Sequence, residues 1–462
     1  MHRNAVTERY LEAVARTAFG PDELTKVSRQ QIDLDNTTYF GEVLPRPGFV
    51  SYAERERLAG DLHALVDALA ALPDRLFGGD FAAFAKATGM TDAQVEGISR
   101  IRSKELTRLT RADMYHDGTD FKIMELNMGS TTGGLDNGMV NRAALTLPFV
   151  AGFAEANDLS YVDGLAELAS MFRAEVQAGE GERILAVVVD IPENLRFFQG
   201  LLTTSANDLA EHGVDFVPCH FEQLRYSRGR VLLEDRPIDL VYRLVAVEDL
   251  LRPEVAELIE PLMSAVERGD VRLFTPMDTD AYASKAALAM LSDEANRHLL
   301  TPAQARSLDR LLPWTRMVRD EPVTVDGERV DLLQFAAQER GELVLKPTLL
   351  HGGLGVTLGW QCDLDTWTKQ VHAAVDGPYV LQRRVRAAPE LVPTPEGVRP
   401  MVFNWGVFTV ASGYGGALVR GTTTLDGSVL NRAGGAALGC CFHETRPAAA
   451  LSTPFKDRPP AG

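Results

Sequence analysis

Residues 106 to 128 constrain this chain most, because the hydrophobic period changes there from helical to two. Before them, as in YAERERLAGDLHALVDALAALPDRLF, apolar residues recur at i, i+3 and i+4, and Pro73 breaks the run. Residues 1–105 therefore read as a helical N-terminal region. LTRLTRADMYH, a polar DGTD and FKIMELNMG then read as a β-hairpin. Side chains alternate along a strand, so Arg111 shares a face with Asp113, and Glu125 with Asn127. Whether the two pairs lie on the same face depends on the turn. A two-residue Asp117-Gly118 loop sets Asp113 opposite Lys122 and sends Glu125 to the other side; an odd loop, such as three residues with a bulge, unites all four. The reading favours the odd loop. Two carboxylates and an amide oxygen on one face are a hard oxygen cluster suited to Mg²⁺ with nucleotide phosphates, and Arg111 adds a fork for an anion. The plainer alternative is an exposed hairpin with cross-strand salt bridges.

Downstream, RILAVVVD, VDFVPCH and IDLVYRLV read as strands and LRFFQGLLTTSANDLAEHG as a helix ending at Gly213, an open α/β unit. From about 254 to 440, strands such as DVRLFTP, GELVLKPT, GPYVLQRRV, MVFNWGVFTV and GALVRGTTT outnumber crossover helices, which suggests antiparallel sheet. The fold class expected is α+β, mixed α/β. The Pro- and Ala-rich end after His443 reads as a mobile tail.

Several further residues carry chemistry. Directly after the E-x-N strand, GSTTGGLDNG offers backbone amides and the hydroxyls of Ser130, Thr131 and Thr132 to an anion, although ordinary loop chemistry explains it equally well. Lys346 sits in the apolar strand ELVLKPT, so its ammonium needs an anionic or carbonyl partner. The loop HGGLGVTLG follows, and Gly352, Gly353 and Gly355 leave amide donors suited to closing over phosphates. It is neither a Walker loop nor a dinucleotide fingerprint. Gln382, in GPYVLQRRV, supplies a polar edge to an apolar slot of the kind adenine needs. Lys285 opens the helix SKAALAML, where a cation opposes the helix dipole and argues for a nearby anion. Arg420, and Asn431 with Arg432, stand where a second anion clamp would form. His351 reads as a turn histidine beside the glycine loop. No G-x-S-x-G elbow supports hydrolase chemistry.

Composition narrows the partners. With 47 basic and 64 acidic residues the chain has a net charge of −17, which disfavours nucleic acid and anionic membrane. Only eight of the basic residues are lysines, so those retained mark places where a compact ammonium is wanted. Four cysteines without a C-x-x-C pair suit a reducing cytoplasm, Cys440 and Cys441 reading as buried packing residues. No spanning or targeting segment is expected.

In their order along the chain, R-x-D, E-x-N, the lysine of SKAALAML, LVLKP-x4-GG-x-G and YVLQRRV make the sequence resemble the circularly permuted ATP-grasp ligases, the group that includes glutathionylspermidine synthase. The resemblance covers roughly residues 105 to 440. In ordinary ATP-grasp enzymes the metal-binding acidic residue and E-x-N follow the nucleotide lysines; here they come first. It implies a division into a helical region (1–105), a metal-motif hairpin (106–158), a central α/β domain (159–252), nucleotide-binding lobes (253–443) and a flexible tail (444–462). It implies that Asp113, Glu125 and Asn127 bind Mg²⁺, that Lys285 and Lys346 bind ATP phosphates under the 352–355 loop, and that Gln382 faces the adenine. Arg111 with the Ser130 to Thr132 loop would hold the carboxylate being phosphorylated, and Arg420 the transferred phosphoryl group. No counterpart of that group's amidase partner domain is expected in this sequence, and GSTTGG stands where that group has a proline-containing loop. The activity implied is an ATP- and Mg²⁺-dependent carboxylate–amine ligase acting on small molecules, an amino acid or short peptide among them. A small-molecule kinase and a catalytically silent nucleotide-binding protein are the rival readings.

Overall fold

The computed structural model describes residues 4–17, 19–20, 23–24, 43–424 and 436–447. In the N-terminal region, Ser51 caps the helix Tyr52–Ala70 through a reciprocal box with Glu54. The stripe Leu58, Leu62, Leu65 and Leu69 is buried, as the helical period requires. Pro73 falls in the first turn of the next helix, Leu72–Phe77, where its missing N–H is harmless. This region is stitched to the far end of the chain. Gly48–Val50 pairs in parallel with Cys441–Glu444, and Glu444, buried, pairs with Arg9 at 2.9 Å. The strand thus takes in Glu444, the first residue of the expected tail; residues 448–462 lie outside the described residues.

Three sheets position the site. The first is parallel throughout, in the spatial order Arg272–Phe274, Leu240–Arg243, Ile184–Asp190, Val214–His220. Ile184–Asp190 is buried at every position, the expected fate of an unbroken apolar run between two layers. The helix expected after it forms as two, Pro192–Phe197 and Gln199–Glu211. Arg272–Phe274, grouped in sequence with the antiparallel unit, joins this parallel sheet instead. The helix Pro253–Glu267 supplies the crossover that a parallel neighbour needs, so the α/β unit extends past the expected boundary at 252.

The second sheet is antiparallel and holds the hairpin: Ala437–Gly439, Gly413–Thr422, Gly397–Val410, Thr110–His116, Phe121–Met128, with Glu390–Thr394 beside Gly397–Val410. The third, also antiparallel, runs Thr315–Met317, Tyr379–Arg383, Leu343–Pro347, Thr357–Leu358. The architecture is mixed α/β. No described helix is long and apolar enough to cross a membrane.

Candidate functional site

The hairpin brings Arg111 opposite Asn127 and Asp113 opposite Glu125, so all four side chains share one face. The means differ from the expected odd loop. His116 pairs with Phe121, leaving a four-residue turn, and that even turn alone would set Asp113 opposite Met124 and turn Glu125 away. Between Asp113 and Met114 the register shifts by one, making Met124 the extra residue of a strand bulge. The bulge re-aims Glu125, and the Met124 carbonyl accepts a bond from Lys346 Nζ at 3.2 Å.

Asp113 is held on both oxygens. Arg111 donates through Nε to Oδ1 at 2.9 Å and through Nη2 to Oδ2 at 3.1 Å, and Arg420 Nη2 lies 2.8 Å from Oδ1. Burial alone would raise the pKa of this carboxyl; the two guanidiniums outweigh it and hold the pKa below its ordinary value. Two neighbours make room and orientation that sequence reading missed. Asn404, buried, accepts from Arg420 Nη2 at 2.7 Å. Gly406 lies opposite Asp113, where a Cβ would come within 2.9 Å of Arg111 Cδ.

Across the cleft, Ser284 caps the helix Lys285–Ser292. Lys285 Nζ reaches Leu350 O at 2.8 Å and Glu125 Oε1 at 3.4 Å. Lys346, on Leu343–Pro347, also donates to Gln382 Oε1 at 2.6 Å, and Gln382 Nε2 donates to Thr315 Oγ1 at 3.2 Å. Gln382 thus braces the lysine. Burial, then the nearby Lys285, lowers the Lys346 pKa to about 7, although Glu125 opposes the fall. His351, read as a plain turn residue, seats Nδ1 3.1 Å from Glu125 Oε1. Burial works against the charge on each partner of this contact, yet its bonds and neighbours prevail: the His351 pKa is raised, and that of Glu125 falls to about 2.

Arg111, Asp113, Glu125, Asn127, Lys285, Lys346, Gly352, Gly353, Gln382 and Arg420 all line a single cleft, whose apolar wall includes Val344, Leu358 and Trp360. Gly352, Gly353 and Gly355 all take left-handed φ, so the turn over the cleft depends on glycine. Gly355 lies against Pro347, off the lining. Ser130 is also off it, in the turn Gly129–Thr131, with its hydroxyl buried and unpartnered among the described residues. The side chain of Thr131, with Asn431 and Arg432, lies outside the described residues.

Among the described residues no three His, Cys, Asp or Glu side chains group as metal ligands. Glu125 is engaged through Oε1, and Asn127 donates weakly through Nδ2 to Arg111 O at 3.5 Å. A carboxylate and an amide oxygen are enough for Mg²⁺, which keeps waters and phosphate oxygens as its other ligands. The residues fit such an ion, with Glu125 and Asn127 the open donors and Asp113 committed to the guanidiniums.

The sequence matches no protein-family profile and no curated protein. Among solved structures, the chain is similar to a glutathione synthetase-like effector of Globodera pallida, with 12% identity and a TM-score of 0.56 over 96% of this chain and 99% of that one. A Methylobacillus flagellatus protein named as a gamma-glutamylcysteine synthetase is 11% identical over 83% and 88% of the two chains, with a TM-score of 0.42. The end-to-end likeness to the first establishes that this chain has the fold of a glutathione synthetase-like protein.

Proposed function

We propose that the chain is an ATP- and Mg²⁺-dependent carboxylate–amine ligase of the circularly permuted ATP-grasp group. It would form an amide bond through an acyl phosphate and release ADP and phosphate. The observation that carries this reading is the charge arrangement of one cleft: among the described residues its acids are Asp113 and Glu125, against Lys285, Lys346, Arg111, Arg420, Arg383, Arg384 and Arg386. A positive excess within a chain of net charge −17 selects a compact polyanion such as a nucleoside triphosphate. The early hairpin pairing with Gly397–Val410, near the other end of the chain, supports the permuted order.

A carboxylate resists amines because oxide is a poor leaving group; phosphorylation replaces it with phosphate. The protein's task is positioning and charge neutralisation. Lys285 and Lys346 hold the phosphates, the 352–355 loop covers them, and the apolar wall receives the base. Glu125 and Asn127 hold Mg²⁺, which when bound neutralises phosphate charge. Asp113 fixes the guanidiniums of Arg111 and Arg420 beside the acid and the transferred phosphoryl group.

The test is hydroxylamine trapping with ATP, Mg²⁺ and pooled amino acids and short peptides, scored by phosphate release and hydroxamate mass. A hydroxamate that disappears in Lys346→Ala and Glu125→Ala is expected. Full activity in either folded variant refutes the site. A stable phosphorylated product without amine consumption marks a kinase instead, and ATP binding without turnover a silent binder.

A further inference from the structure

We infer that His351 is a positioning residue for the divalent cation: it holds one oxygen of Glu125 so that the other stays open to the metal, and it thereby ties the glycine loop to the metal donor. The part the cation plays in catalysis rests on the ligase reading; the hold of the loop on the carboxylate does not.

Glu125 reaches the cleft from the strand Phe121–Met128, re-aimed by the bulge at Met124. Among the described residues, the hydrogen bonds to its carboxylate fall on Oε1, from His351 Nδ1 at 3.1 Å and from Lys285 Nζ at 3.4 Å. Facing a carboxylate oxygen, Nδ1 is the protonated ring nitrogen and donates. Lys285 Nζ also donates to Leu350 O at 2.8 Å, on the residue before His351. The contacts therefore close on one another: carboxylate to imidazole, along the chain to the Leu350 carbonyl, and through the ammonium back to the same oxygen. A free glutamate side chain samples many rotamers, and ordering it costs entropy when a metal binds. Two donors on Oε1 meet that cost in advance and leave Oε2 for a ligand from outside. Asn127 is arranged alike, its Nδ2 turned to Arg111 O and its oxygen left over.

The anchor sits where the loop begins. Gly352, Gly353 and Gly355 follow His351 directly, all with left-handed φ, and Leu354 among them is 67% exposed. His351 thus pins the near end of a glycine turn whose Gly352 and Gly353 line the same cleft as Glu125. A tether needed only to hold a loop down could end on any surface group. This one ends on the acid that shares an open donor pair with Asn127. Hydrogen bonds to the remaining atoms of a metal ligand orient it, and their loss typically costs about 10–100-fold in metal affinity.

The experiment is titration of the full chain with Mn²⁺ alone, an oxygen-seeking stand-in for Mg²⁺, with the free ion followed by electron paramagnetic resonance. Saturable binding that Glu125→Gln removes is expected. His351→Leu should weaken it about tenfold or more. His351→Asn, whose amide nitrogen can stand near the place of Nδ1, should restore most of the loss, which a merely space-filling role would not allow. The His351 side chain is 40% exposed, so these changes empty no core; His351→Ala gives the same reading should leucine disturb the loop. No saturable Mn²⁺ binding by the wild type, unchanged affinity in the leucine and alanine variants, or an asparagine variant as weak as the leucine one overturns the inference. If hydroxylamine trapping fails while His351-dependent Mn²⁺ binding holds, the ligase reading falls and the positioning role stands. If trapping succeeds while the leucine and alanine variants bind Mn²⁺ as the wild type does, the positioning role falls and the ligase reading stands.

Discussion

Replacing Lys346 by methionine should lower stability relative to the wild type by roughly 3 kcal/mol on going from pH 7 to pH 9.5, while abolishing nucleotide turnover. An ordinary lysine ionises near 10.5, and Lys346 at about 7 because burial and Lys285 disfavour its charge. At about 1.4 kcal/mol for each tenfold, keeping the ammonium inside the folded protein costs on the order of 5 kcal/mol. The unfolded lysine is charged below about 10.5, so this cost is absent above that pH, grows as pH falls, and is complete below about 7. Methionine keeps the stem and removes the charge. It also leaves Gln382 Oε1 and Met124 O without their donor, a loss of about 1–3 kcal/mol for each oxygen shielded from water. At pH 7 that loss and the relief of the ammonium's cost are of similar size, so the pH dependence is the telling quantity: the variant should lose roughly 3 kcal/mol relative to the wild type between pH 7 and pH 9.5. At pH 9.5 most of the lysine's cost has vanished in the wild type, and the variant should become the less stable of the two. Urea unfolding followed by tryptophan fluorescence at the two pH values reads both predictions, and added MgATP should raise the midpoint of the wild type alone. A stability difference between variant and wild type that does not change with pH would refute the account of Lys346 as a strained cation.

Two further perturbations test the frame around the site. Burial, then Arg55, lowers the His443 pKa to about 4 from an ordinary 6.5, so its neutral form supports the fold above 6.5, and that support is lost as pH falls towards 4, by roughly 3 kcal/mol. The urea midpoint should drop over that interval, and His443→Gln should flatten the drop. Arg46 and Glu390 form an ion pair at 2.7 Å with both side chains almost wholly buried; Arg46→Met or Glu390→Gln alone should destabilise by about 3–5 kcal/mol, and Arg46→Met with Glu390→Met should recover most of it in the same assay.

What sequence reading reaches here is set by the range of each signal. Helix stripes, caps and strand alternation act over a few residues, and they locate the capped helix Tyr52–Ala70, the buried strand Ile184–Asp190 and the hairpin. Alternation also assigns Arg111, Asp113, Glu125 and Asn127 to faces in pairs. It does not show what unites the pairs, because the bulge residue is Met124 and not a glycine whose backbone freedom would betray it. Contacts between residues distant in sequence leave no local trace. Asp113 meets Gly406 and Arg420 only through strands close to the other end of the chain, and Arg272–Phe274 gives no hint in three residues that its neighbour runs parallel. His351 looked like a turn residue because its turn is visible in the glycines, whereas its partner Glu125 arrives from a different sheet.

The division of labour between the two basic residue types follows from what each must hold. Among the described lysines, Lys285 and Lys346 are the buried ones, whereas Lys86 and Lys369 pair with aspartates on the surface. A guanidinium stays charged at any pH the fold survives, and its planar fork suits a fixed carboxylate; Arg111 grips Asp113 in that way with two parallel bonds. A lysine ammonium is compact and can change its protonation when an anion arrives. On the proposed ligase reading, Lys346, lowered to about 7 and braced by neutral oxygens of Gln382 and Met124, would gain charge as a phosphate approaches. Binding of the polyanion would then relieve the buried ammonium, which would account for a lysine at this position in a chain that writes most of its positive charge as arginine.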